Sequence, residues 1–177
     1  APVSNAVADL NARLAEGSAS LRFDRRSGHL HSGLGGLGVP SDSQLLLVSQ
    51  TSLQAGRIGP ANPRALFFND RVAVGWVRDG DLLEVAAHDA TLGTVFYTLD
   101  QKPAAAAAPP QFRRAFICLG CHVTSDTLGV PGLLNFSTTE SAPGLMRAVA
   151  MDHRTPLDAR WGGWLVTGGG AGGARPG

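Results

Sequence analysis

The pattern of apolar and polar positions divides the chain into an N-terminal stretch, a middle stretch and a C-terminal stretch. Val7, Leu10 and Leu14 recur at helical spacing, and Ser4 can cap and Gly17 can end a short helix there. From Leu21 to Asp42 the period is lost among five glycines, so a loop is expected, with one short strand at Leu21-Arg22-Phe23. From Gln44 onward, short apolar runs alternate with turn signals. Leu45 to Ser49, Ala65 to Phe68, Arg71 to Arg78, Asp81 to His88 and Thr94 to Leu99 read as strands. Asn69-Asp70 and Asp79-Gly80 read as two-residue turns, and the second wants positive φ at both positions. No helix-length crossover separates these runs, so they predict an antiparallel meander.

Beyond the meander, Lys102 to Pro110 holds five consecutive alanines between prolines and reads as a linker. Gln111 to Cys118 is compatible with a helix. Ala142 to Met151 predicts a second helix, with Leu145 and Val149 on one face. Gly168 to Gly177 is a Gly/Ala-rich tail with the composition of a flexible chain. The expected class is α+β. Residues 1–43 form a helix and Gly-rich loop, 44–101 the meander, 102–110 a linker, 111–167 a second functional segment, and 168–177 a tail.

Composition narrows the function. Of 177 residues, 44% are hydrophobic and 16% charged, enough apolar residues for a buried core. The net charge of +1 argues against a dedicated nucleic-acid binder, which carries a basic excess. No apolar run approaches the roughly 18 residues of a membrane span. The chain opens Ala1-Pro2-Val3-Ser4, the kind of start expected of a mature exported chain or of a trimmed one.

The chemistry lies in the only two cysteines. Cys118-Leu119-Gly120-Cys121-His122 has the spacing of c-type haem attachment. Two thiols one helical turn apart reach the two vinyl groups on one porphyrin edge, and the next residue offers its imidazole to the iron. Chance alone produces this arrangement about once in three thousand such compositions. A thioredoxin-type pair would want a preceding strand within a βαβ unit. A zinc site would want a second ligand pair, for which His88 and His153 are the candidates. A disulfide across a two-residue spacer is strained. Gly129-Val130-Pro131-Gly132 follows at the offset where a loop can run beneath the proximal imidazole. A backbone carbonyl there is expected to accept the Nδ1 proton of His122; a plain turn is the other reading of the same residues.

Candidates for the sixth iron ligand are Met146, Met151, His153, His88, His29 and His31. His153 is favoured, because the 142–150 helix would carry the chain around the porphyrin edge and Pro156 would stop it. Arg113 and Arg160 are candidate partners for haem propionates, from a group that also includes Arg114, Arg147 and Arg154. Trp161 and Trp164 can wall a haem pocket or simply pack in a core.

Several segments together resemble a poorly characterised family of bacterial c-type cytochrome proteins. They include Ser49 to Gln54, Asn62 to Asp70, Val74 to Val77, Leu92 to Gln101, the haem motif, Asp152 to Pro156 and Arg160 to Trp164. The likeness spans most of residues 44–168. It implies one covalent haem c held by Cys118, Cys121 and His122, and an extracytoplasmic, periplasmic location. The expected fold is the meander packed against a mainly helical and looped haem segment. The expected function is electron transfer to redox partner proteins, alone or as a subunit of a membrane-associated complex. A haem enzyme or gas sensor with an open sixth position, such as a peroxidase, is the alternative. A third class is a structural subunit in which the haem is a folding staple.

Overall fold

The structure is a computed structural model that describes residues 2–103, 109–142, 145–151 and 154–156, with backbone alone for 135–142 and 145–151. It is an α+β arrangement built on a six-stranded antiparallel sheet. The strands are β1 (Leu45–Leu47), β2 (Arg64–Phe68), β3 (Val72–Trp76), β4 (Leu82–Asp89), β5 (Gly93–Asp100) and β6 (Arg113–Arg114), paired in chain order. β2 and β4 alternate between buried and less buried positions, which turns one face of the sheet to the core and leaves the other more open, while β5 buries Val95, Phe96 and Tyr97 in succession. Val74, Leu83, Val85, Ala87, Val95, Tyr97 and Leu99 point into the core.

Two helices cover that face. Helix α1 (Ala6–Ala15) buries Val7, Leu10 and Leu14, as the spacing predicts. Its cap is Asn5 rather than Ser4: Asn5 Oδ1 accepts from the amides of Val7 and Ala8, both at 3.1 Å. Tyr97 Oη donates to the same oxygen at 3.2 Å, which ties the cap to β5. Ser4 instead gives its amide to Asp89 at 2.8 Å. An Asn5→Ala chain loses the cap and strands a buried phenol, so it should be destabilised by about 2 kcal/mol. A lowered urea midpoint at unchanged m-value checks this.

The Gly-rich stretch is not a loop throughout. Helix α2 (Leu30–Leu37) buries Leu30, Leu34 and Leu37 on one stripe and ends at Gly38 in the left-handed region. The absent side chain of Gly36 lets the two helices meet closely: a Cβ there would lie 2.9 Å from Leu10 Cδ2. In place of the expected strand at residues 21–23, an isolated bridge joins Asp24 to Gly28. His29 is fully buried, with its ring nitrogens 3.2 Å from Arg22 O and 2.9 Å from Lys102 O.

The turns differ in how closely they follow expectation. Asn69 accepts from the amides of Arg71 and Val72 and closes β2–β3 as a tight turn. The β3–β4 connection is longer than two residues, because Trp76 pairs with Leu83, and only Asp79 has positive φ there. Gln111 to Cys118 is not a helix: it holds β6 and a 3-10 turn at Phe116–Cys118, followed by the short helix α3 (Leu119–His122). The expected helix at 142–151 is also overturned. Asn135–Ala142 (β7) and Leu145–Met151 (β8) form an antiparallel hairpin with a register shift near Glu140. A segment that short is marginal as a helix, and strand pairing satisfies its backbone instead. No helix among the described residues is long and apolar enough to cross a membrane. The alanine run at 104–108 and the tail at 168–177 lie outside the described residues.

Candidate functional site

Residues on the open face form rows set by the strand register. Leu66, Gly75, Glu84, Thr98 and Arg113 make one row. Phe68, Ala73, Ala86 and Phe96 make the next, and His88 pairs with Thr94 beyond it. The two alanines leave a shallow apolar trough whose lining includes Leu66, Phe68, His88 and Leu133.

The Cys-x-x-Cys-His motif stands against this face. The chain leaves β5 and returns as the two-residue strand β6, and Ala115 donates its amide to Phe96 O at 2.9 Å. The 3-10 turn and α3 then place Cys118 and Cys121 one helical turn apart. Both are free thiols, Cys118 half-buried and Cys121 exposed. Burial first, and the Glu84 carboxylate second, push the Cys118 thiol above its usual range. That is the reverse of the electropositive setting that activates a thiolate for redox exchange.

The imidazole of His122 packs on Phe96, with ring centroids 4.4 Å apart. Its Nδ1 lies 2.8 Å from Gly132 O. A carbonyl only accepts, so Nδ1 carries the proton and Nε2 keeps its lone pair free for a metal. The contact is reciprocal, because Gly132 donates its amide to His122 O at 3.0 Å. The loop is itself pinned to the sheet: Thr94 donates its amide to Pro131 O at 2.7 Å. Ring, loop and strand therefore hold one another in a fixed geometry.

The surroundings are apolar yet solvent-facing. Phe116, Ile117, Leu128, Val130 and Leu133 are 61%, 72%, 89%, 53% and 64% exposed. Five large apolar side chains within eighteen residues mark a surface built to be covered. Arg114 lies over the Phe116 ring at 4.6 Å.

The structure brings together Cys118, Cys121, His122 and Pro131. Arg113 is exposed on β6, in register with Thr98 at the edge of the same face. His153, Arg160 and Trp161 lie outside the described residues. Of the other histidines, His29 is a structural clamp and His31 is exposed on α2, the helix laid on the opposite face. His88 is exposed on the motif's own face. Among the described residues no three His, Cys, Asp or Glu side chains converge, so a zinc site would need ligands from outside them.

Sequence reasoning missed Arg64 and Glu84. Ser52 Oγ and the Leu53 amide donate to the Glu84 carboxylate at 2.6 and 3.0 Å, which fixes the 49–54 loop over β4. The one available signal was alternation in Arg64-Ala65-Leu66-Phe67-Phe68, which puts Arg64 on the open face with Leu66. Comparison with known protein families, with characterised proteins and with solved structures gave no match.

Proposed function

We propose that this chain is an extracytoplasmic monohaem c-type cytochrome that transfers electrons. The observation that carries the reading is the Cys118-x-x-Cys121-His122 turn with the His122 Nδ1 held by Gly132 O, which leaves Nε2 as a ligand. Cys118 and Cys121 would hold the haem by adding their thiols across its two vinyl groups, sulfur to one carbon and hydrogen to the other. The bound haem supplies a one-electron iron couple. The residues present fit it: the exposed apolar side chains of 116–133 give a porphyrin an apolar surface to cover. The haem segment then packs on the open face of the meander, over Phe96. Cys121 is exposed, so a thioether formed there would lie at the protein surface, where a redox partner or a membrane-associated complex could approach.

Haem attachment of this type takes place outside the cytoplasm, which gives the periplasmic location. His153 would supply the second iron ligand in this reading; it follows the last residue of β8 by two positions. Imidazole at both positions gives a lower potential than a thioether would. The test is acid-acetone extraction of the purified chain. Haem that stays with the polypeptide is the expected result, and a haem-free polypeptide overturns the proposal. A low-spin spectrum unresponsive to carbon monoxide identifies the carrier. Rapid carbon monoxide binding identifies the enzyme or sensor class instead.

A further inference from the structure

Two contacts fix which way the His122 ring faces along the sheet. Residues 130–132 cross the start of β5: Thr94 donates its amide to Pro131 O, and a Cβ on Gly93 would come 2.5 Å from that oxygen. The ring packs on Phe96, two positions beyond Thr94 on the same strand. Its Nδ1 reaches back to Gly132 O at 2.8 Å, towards the start of β5. Nε2 lies on the other side of the imidazole, so its free lone pair is turned towards Thr98. Thr98 pairs with Glu84, and Glu84 with Gly75, in a row about 7 Å beyond that of Phe96.

That end of the face has its own cover. The Glu84 side chain is 13% exposed, and its carboxylate accepts from Ser52 Oγ, the Leu53 amide and Gln54 Nε2 at 2.6, 3.0 and 3.4 Å. With those bonds made, Glu84 is an anchor for the 49–54 loop. The loop brings Leu53 to this end and leaves its side chain 43% exposed. Outside 116–133, Leu53 and Phe68 are the large apolar side chains left exposed among the described residues. Phe68 lines the trough that runs to His88 and Thr94, a space of about 320 Å³. The trough is roomier, yet the lone pair of His122 is turned away from it. Cys118 agrees: after burial, the Glu84 carboxylate is the strongest influence raising its thiol. We propose that the haem stands at the Leu53 end of the open face, with Leu53 against the porphyrin, and that the trough beside His88 is outside the haem contact. The inference rests on the cytochrome reading and adds where on the sheet the cofactor lies.

The experiment is methyl NMR of the leucine-labelled holoprotein in its ferric and ferrous forms, after acid-acetone extraction has established whether haem is covalent. A haem-free polypeptide at that step overturns the cytochrome reading and this placement with it. Unpaired spin on the iron shifts methyl signals through space, with an effect that falls as the cube of distance. Leu53→Ile removes one leucine methyl pair and so identifies the Leu53 signals. These should move between the two oxidation states by more than those of any leucine in α1 or α2, which lie behind the sheet. The His88 ring protons should move less than the Leu53 methyls. With haem bound, Leu53 methyls that move no more than the α1 and α2 leucines overturn the placement and leave the cytochrome reading standing. A larger shift at His88 than at Leu53 puts the haem in the trough and also overturns the placement.

Redox potentiometry gives a second measurement that needs no signal assignment. A cation beside the porphyrin favours ferrous iron. Leu53→Arg should therefore raise the potential. Phe68→Arg, which adds the same charge to the trough, should leave it near the parent value. Both positions are exposed, so neither change disturbs the core. No rise in Leu53→Arg, or an equal or greater one in Phe68→Arg, overturns the placement.

Discussion

A Cys118→Ala, Cys121→Ala chain is expected to carry no haem through acid-acetone extraction, yet to keep its sheet. The loss is complete because no other cysteine exists to form a thioether. The sheet survives because the principal core is built elsewhere. Its buried members come from α1, α2 and β2 to β5, with Leu21, Val39 and Phe112, and none lies in residues 116–133. Far-UV circular dichroism should therefore change little, while protease cutting within 116–133 rises sharply. Ile117 and Leu128 are among the most exposed apolar side chains, and the proposed haem would be what covers them. The single variants should separate the two links. Each retains one thioether, so haem stays on the polypeptide and the pyridine haemochrome spectrum shifts towards that of a porphyrin with one free vinyl. Collapse of the circular dichroism signal in the double variant would mean that haem is a folding staple.

What was legible in the sequence was the meander, because short apolar runs alternate with turn signals and β2 and β4 state their own burial by alternation. Ala65 and Phe67, or Leu83, Val85 and Ala87, need no information from elsewhere in the chain. Helix α2 was not legible. Gly33, Gly35 and Gly36 lower its intrinsic propensity, and what stabilises it is tertiary: Leu10 fills the space over Gly36, and Leu83 lies 3.4 Å from where a Gly33 Cβ would stand. The 145–151 strand failed for a related reason. Leu145 and Val149 fit one turn of a helix, and only pairing with 135–142 selects the extended form.

The site divides the same way. The cysteines and His122 are contiguous and were legible at once. A carbonyl within Gly129–Gly132 behind the His122 ring was also legible, and only the residue that supplies it, Gly132, was not. Arg64 lies 54 positions before Cys118 and stands on the open face of the sheet beside Glu84. Alternation puts Arg64 on the open face, but no local pattern pairs it with Glu84, 20 positions further along the chain.

The fold itself is most sensitive at Leu83. This side chain is fully buried near the start of β4, paired with Trp76 on one side and Leu99 on the other. It also meets α2 at Gly33. Leu83→Ala removes apolar contact from the sheet and the helical layer at once, and rigid strands on both sides limit collapse into the space. The expected cost is about 2–5 kcal/mol, a large share of the stability of a domain this size. Ile117→Ala provides the contrast, because that side chain is 72% exposed and truncation in the haem-free protein leaves no cavity. Urea denaturation of both variants in the Cys118→Ala, Cys121→Ala background reads the difference free of any haem contribution. Leu83→Ala should lower the midpoint steeply at unchanged m-value, and Ile117→Ala should leave it near the parent. Equal midpoints would place the mechanical centre of the fold outside the α1–α2–sheet core. A haem-loaded Ile117→Ala chain should then lose stability that its haem-free counterpart does not, which measures how much of the 116–133 surface the haem covers.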